Sequence, residues 1–451
     1  MKNTNFSRYL SLLLTTLILL SALCGCRPEQ SLDEPSFPSA ITNPTNPSNP
    51  TTVPTEPTEP PIVKESTATI SAVGDLLIHD SLLASAKNGS EYSFDSMFTL
   101  FKSYATASDY AVANLETTLA GNNNGWKYAG YPNFNSPDSL LTAVKGTGFD
   151  MLLTINNHSY DTGTLGFRRT AKTVTASGLD RLGTKETADE ANFVIREMNG
   201  IRVAMMCYGY ESDSEAGIAK LNNKLMSEED AKLANTFDYS HLDVFYNEMR
   251  QNMALLEEAG ADATILFLHW GNEYQTKQNK YQSQIAQDLC DIGIDVIIGG
   301  HPHVVQPVEL LTSSKNDTHK TICIYSLGNF ISNQRRELIS SKPTGHTEDG
   351  VMFSVTFAKY SDGTVIPEKV EALPFWVEKV SGAEKNTFRV IPLDKTVADW
   401  QSAFNLTDKN LSLAQGSYDR TQKIIGAGME TVTAYLTGLV AATEQALGVP
   451  Q

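Results

Sequence analysis

The sequence predicts a mixed α/β fold, and three observations lead there. From Thr67 onward, short apolar runs of strand length alternate with stretches of helical periodicity. At 451 residues with 41% hydrophobic content the chain can bury a sizeable core. Several of the apolar runs stop at a polar cluster, the arrangement of α/β proteins that carry chemistry at their strand ends.

Taken in order, Thr67–Val73 reads as a strand ending in Gly74-Asp75, and Tyr110–Ala113 as a second ending in Asn114-Leu115-Glu116. A helix through Ser139–Lys145 leads to a strand at Asp150–Ile155 that ends in Asn156-Asn157-His158, and Thr164–Ser177 is helical. Phe193–Glu197 and Ile201–Cys207, joined across Asn199-Gly200, read as a β-hairpin with a type I′ turn. Asp243–Ala259 is amphipathic, with Phe245, Met249, Met253 and Leu256 on one face, and feeds the strand Ala263–Leu268 and then His269-Trp270-Gly271. A helix near Tyr281–Asp291 precedes the apolar run Asp295–Ile298, broken by Gly299-Gly300 and followed by His301 and His303. In an extended chain these two histidines point the same way, with Pro302 stiffening the segment between them. Lys320–Ser326 and Val351–Phe357 add late strands, with a turn at Asp362-Gly363. No internal repeat of fixed period is present.

The flanks differ in texture. Residues 1–26 read as a targeting segment: Lys2 and Arg8 precede an apolar run, Leu10–Leu23, and Leu23-Cys24-Gly25-Cys26 resembles a bacterial lipobox with Cys26 as the lipidated residue. Residues 27–66 hold ten of the chain's nineteen prolines in a Thr, Asn, Ser and Glu background, a composition that favours an extended, disordered tether. The expected organisation is therefore a lipoprotein signal peptide (1–26), a tether (27–66), a main domain (67–380) and a mainly helical region (381–451). In the last, Ile425, Met429, Val432, Leu436, Leu439 and Leu447 recur at helical spacing, which reads as a helix closing the fold. No stretch after Cys26 reads as a membrane span, so any transport role would need other proteins, and the alternative to lipid attachment is an uncleaved N-terminal anchor. A net charge of −17 argues against nucleic acid as a partner and leaves room for bound cations. Cys207, Cys290 and Cys323 lie in apolar runs without CxxC spacing and read as buried free thiols.

Asp75, Glu116, Asn157, His158, His269, His301 and His303 together make a mixed oxygen and nitrogen donor set. It suits Mn, Fe or Zn better than Ca or an iron–sulfur cluster. Its size exceeds the needs of one ion, and two divalent ions sharing a carboxylate can clamp a phosphoryl oxygen and stabilise both attacking and leaving oxygens. Any one of these residues alone reads more simply as a turn Asp, a helix cap or a hydrogen-bonded core histidine. Their recurrence at successive strand ends favours metal.

The series GDLLIHD, VANLETTL, TINNHSYDTG, FLHWGNEY, GGHPHVVQPVE and YSLGNF resembles the CapA family of capsule or poly-γ-glutamate synthesis proteins, within the calcineurin-like metallophosphatase superfamily. The resemblance runs from about Thr67 to Pro374. It implies a sandwich of two mixed β-sheets flanked by helices, with the C-terminal helical region as an extension. It also implies that Asp75 and His303 hold one ion, that Asn157, His269 and His301 hold the other, and that Glu116 bridges them. His158 would be the general acid, oriented by Asp161, while Glu273 and Asn329 would stand behind the ligands or against substrate. The superfamily's first motif usually reads DxH, but Leu77 occupies the His position here, and His79 is the only nearby candidate to replace it.

The function this implies is a surface-anchored, metal-dependent, phosphoesterase-like hydrolase in the synthesis, export or anchoring of poly-γ-glutamate or another capsular polymer. Its partners would be an anionic capsule or wall polymer or a phosphoester, the membrane through the lipid, and other capsule-synthesis subunits. The alternative is a non-catalytic, metal-containing lipoprotein that binds or assembles polymer. A solute- or sugar-binding lipoprotein is a third reading.

Overall fold

A computed structural model describes residues 61–449 apart from residues 124, 213–218 and 341–343. The targeting segment, the lipidation candidate Cys26 and the tether up to Pro60 lie outside the described residues. Regular structure begins at Lys64, inside the stretch assigned to the tether.

Two sheets face each other across the main core, the sandwich that the sequence led us to expect. The first runs in the order Thr387–Pro392, Val365–Val380, Asp349–Tyr360, Lys64–Leu76, Tyr110–Leu115, Met151–Leu153 and Asp180–Leu182, with Asn329–Ile331 pairing beside the end of Lys64–Leu76. Its pairs from Lys64–Leu76 to Asp180–Leu182 are parallel and those on the other flank antiparallel. The second runs Thr236–Phe237, Ile201–Tyr210, Ala263–His269, Val296–Gly300, Lys320–Ile324 and Val308–Thr312, and Phe193–Met198 forms the expected hairpin with Ile201–Tyr210. Asn199 and Gly200 at its tip both have positive φ (53° and 79°), as a type I′ turn requires.

Period-two patterning explains the layers. Val203, Met205 and Cys207, with Ile265, Phe267 and Ile298, face the first sheet and meet Ala68, Ile70 and Ala72 there. The intervening Ala204, Met206, Leu266, Leu268 and Ile297 turn outward onto the helices Leu242–Glu258 and Lys280–Ile292. Phe245, Met249 and Leu256 are buried on the expected face of the former. The latter opens on a capping box made by Asn279 and Gln282 and ends at Gly293 with φ of 106°. Helices cover the outer side of the first sheet through Phe98, Phe101, Leu140 and Val144. Cys207, Cys290 and Cys323 are buried and free.

Two expectations fail at the C-terminal end. A boundary at residue 380 would cut a β-hairpin, because Val365–Val380 pairs with Thr387–Pro392, and helix dominates only from Trp400 onward. The final helix, Asp408–Leu447, is also long and apolar enough to cross a membrane, contrary to the expectation that no such stretch follows Cys26. Here one face lies along Val365–Val380 and Val308–Thr312 and delivers Ile425, Val432 and Leu436 to the core between the sheets. Gly428 allows the close approach: a Cβ there would lie 1.9 Å from the Val308 carbonyl oxygen. A charge pair, Arg420 with Asp349 at 2.7 Å, adds to the seam.

Candidate metal centre

Five chain segments bring donors to the carboxyl ends of the parallel strands, where the two sheets meet. Asp75 is the penultimate residue of Lys64–Leu76, and shifts in register on both sides of it re-aim its side chain. A Cβ on Gly74 would lie 1.7 Å from the Gly328 oxygen, so only glycine admits this crossing. Glu116 follows the last residue of Tyr110–Leu115 and His269 ends Ala263–His269, while Asn157, His158 and Asp161 occupy the loop after Met151–Leu153. His301 and His303 follow Gly300. They converge as expected, but by a different route: both have left-handed backbone (φ 95° and 57°) in place of the extended alternation inferred from the sequence. Glycine at 300 leaves room, since a Cβ there would sit 3.3 Å from an Asp75 oxygen.

The donors form two groups that meet at Glu116. In one, His269 Nε2 lies 2.8 Å from Asn157 Oδ1, 3.2 Å from His301 Nδ1 and 3.6 Å from Glu116 Oε1. In the other, His303 Nδ1 lies 3.0 Å from Asp75 Oδ2 and 3.1 Å from Asn329 Oδ1, with its Nε2 3.9 Å from Glu116 Oε1. Both neighbours of His303 Nδ1 are acceptors, so that nitrogen donates and Nε2 keeps the lone pair. The groups abut: Glu116 with His301 and His303, and Glu116 with Asp75 and His269, each offer ligand atoms within 4.8 Å of one another. All these side chains are buried.

Charge is uncompensated at the centre. Neither Glu116 oxygen accepts a hydrogen bond, and burial together with the Asp75 and Glu273 carboxylates drives its pKa well above the usual range. Burial holds His269 and His301 well below the ordinary imidazole value, which leaves them neutral lone-pair donors. Burial pulls His303 the same way, but its hydrogen bond to Asp75 and that carboxylate's charge outweigh it and raise the value. An orphaned carboxylate ringed by neutral imidazoles and amide oxygens fits divalent cations, which remove the penalty of burying it.

Beside this cluster, His158 Nδ1 donates to Asp161 Oδ2 at 2.7 Å, and that same oxygen accepts the Phe134 N–H at 2.7 Å. Asn222 donates to the other Asp161 oxygen at 3.2 Å. His158 Nε2 is thus the nitrogen left for exchange. His158, Asn157 and His303 line a cavity of about 400 Å³ whose walls include Phe134, Asn222 and Tyr274. Glu273 is exposed on this wall, and Asn329 is buried, holding His303 through both its Nδ1 and its carbonyl. His79 does not join the donor groups. Its Nδ1 accepts the Asn333 N–H at 3.2 Å, its ring meets the Phe134 edge, and burial lowers its pKa to about 4. The Leu77 position is therefore not made good by His79.

Some contributors were missed in the sequence. Asn114 donates to Asp75 at 2.8 Å, and Asn156 locks the loop through the Leu115 carbonyl. Asn114 was within reach, since it ends the same apolar run as Glu116. Asn222 and Phe134 come from loops with no local signal.

Residues 69–334, more than half of the chain, match the family model described as bacterial capsule synthesis protein PGA_cap. The chain is similar to the capsule biosynthesis protein CapA of Bacillus anthracis, 28% identical over 276 residues, covering 59% of this chain and 60% of that protein. It is also similar to the PGA biosynthesis protein CapA of Bacillus subtilis (strain 168), 27% identical over 312 residues, covering 67% and 73%. Among solved structures, a putative 5′-nucleotidase from Staphylococcus aureus aligns with TM-score 0.38 and 14% identity over 68% of this chain and 54% of that one. The sulfate thiohydrolase SoxB from Thermus thermophilus aligns with TM-score 0.36 and 14% identity over 69% and 56%.

Proposed function

The chain belongs to the bacterial capsule synthesis protein PGA_cap family, and from that premise we propose that it is a metal-dependent hydrolase of phosphoesters at the cell surface, acting in the synthesis, export or anchoring of poly-γ-glutamate or a related capsular polymer. The observation that carries the reading is Glu116: a buried carboxylate without a hydrogen-bond donor, between two groups of neutral or hydrogen-bond-oriented ligands. Asp75 and His303 would hold one divalent ion, Asn157, His269 and His301 the other, and Glu116 both, with Mn, Fe or Zn as the fitting elements. When bound, such a pair supplies Lewis-acid polarisation of a phosphoryl oxygen and activation of water.

The chain's own residues supply the rest. Asp161, fixed by the Phe134 N–H and Asn222, holds His158 in the tautomer that carries its proton on Nδ1. With Nδ1 so engaged and the ring on the cavity wall, a protonated His158 would donate from Nε2 to the leaving oxygen. Asn329 fixes the ring plane of His303 through Nδ1. Extracytoplasmic attachment through Cys26 completes the proposal.

The test is a phosphoester screen of the metal-loaded protein beside His158→Ala. Turnover lowered by roughly 10²- to 10⁴-fold with unchanged metal content supports the reading. Unchanged turnover contradicts the role of His158. The second reading, a non-catalytic polymer-binding or assembly lipoprotein, is favoured by one observation: with Leu77 where a histidine is usual, the Asp75 and His303 group has fewer donors than its neighbour. Under it, His158→Ala leaves polymer production in cells intact.

A further inference from the structure

We propose that the cavity beside the candidate metal centre takes a neutral glycosyl unit carried on the phosphoester, and not the carboxylate-bearing backbone of a polymer. This rests on the hydrolase reading above and names its substrate class.

Charge comes first. No Lys or Arg is among the described residues lining the cavity, and Glu273 stands on its wall. Three basic side chains near the cavity in sequence are engaged by other groups: Lys224 by Asn133 and the Asp161 carbonyl, Arg336 and Arg335 by Glu348. Bound cations at the floor can meet one phosphoryl group. A γ-linked glutamate chain brings a carboxylate with every residue, and those beyond the floor would face Glu273 without a partner.

The wall itself has the chemistry of sugar recognition. Tyr131, 74% exposed, is the most exposed large apolar side chain among the described residues, and Leu338, 57% exposed, also lines the cavity. Exposed aromatic surface at a cavity rim provides a platform for the C–H face of a pyranose. Asn333 also lines the cavity, its side-chain NH2 donating to Ser81 Oγ at 3.3 Å. Gln334 and Tyr274, hydrogen-bonded to each other at 3.2 Å, extend the polar side. A cavity of about 400 Å³ accommodates one or two sugar rings.

The experiment is calorimetric titration of the metal-loaded full chain with inorganic phosphate, a non-hydrolysable glycosyl phosphonate, a nucleoside 5′-monophosphate and hexa-γ-glutamate. The expected result is glycosyl phosphonate binding at least tenfold tighter than phosphate. Tyr131→Ala should remove most of that gain and leave phosphate affinity unchanged, and hexa-γ-glutamate should not compete. Glycosyl phosphonate binding no tighter than phosphate, or equal binding of the nucleotide or the glutamate hexamer, overturns the inference while leaving the metal site standing. Absence of both metal and phosphate binding overturns the hydrolase reading with it.

Discussion

A carboxyl group sealed from water with no donor beside it keeps its charge only with a cation at hand, and that places the weight on Glu116. Glu116→Gln should abolish tight metal binding yet leave the metal-free protein no less stable, because without a cation the buried group is already pushed towards its neutral form and accepts no hydrogen bond there. Thermal melts with and without chelator check both halves. In the parent protein, metal at a thousandfold excess over its Kd should add about 4 kcal/mol of stability, and Glu116→Gln should show no such gain. His79 offers a separate test by pH. Its folded pKa of about 4 lies below the ordinary 6.5, so between those values the unfolded chain binds a proton that the folded one does not. Its contribution to stability is therefore present above pH 6.5 and lost progressively as pH falls toward 4. His79→Gln should flatten that part of a denaturant midpoint-versus-pH curve, and an unchanged slope would contradict the assignment.

At the scale of elements, the site residues were legible where apolar runs stop. Asp75, Glu116, His269 and the His301/His303 pair each end a strand or follow it by a few residues, and period-two burial makes such endpoints visible. The backbone route to His301 and His303 was not legible, because positive φ at two non-glycine residues is imposed by tertiary contacts. Val365–Val380 was missed because Pro367, Pro374 and intervening charges break the strand signal; one face of it is only partly buried. The cavity walls were illegible for a related reason, since Tyr131, Asn222 and Asn333 sit in loops that only the fold assembles. The helix Asp408–Leu447 gives this scale its prediction. Gly428→Leu would drive a side chain into the Val308 carbonyl and should cost about 1–3 kcal/mol or more, measured by urea denaturation. Gly438→Ala on the same helix meets nothing within 4 Å and should be neutral or slightly stabilising.

For the whole molecule, two sheets of unlike topology meet so that their parallel strands end together, and the donor groups straddle that seam: Asp75, Glu116 and Asn157 come from the first sheet, His269, His301 and His303 from the second. Neither sheet alone assembles a ligand set, so metal occupancy reports on the fold as well as the chemistry. The most direct test is elemental analysis of the purified chain beside a His301→Ala/His303→Ala variant. The account predicts about two divalent ions per chain and a clear loss in the variant with its far-ultraviolet circular dichroism unchanged. No metal in the parent after reconstitution with Mn, Fe and Zn salts, or equal occupancy in the variant, would contradict it.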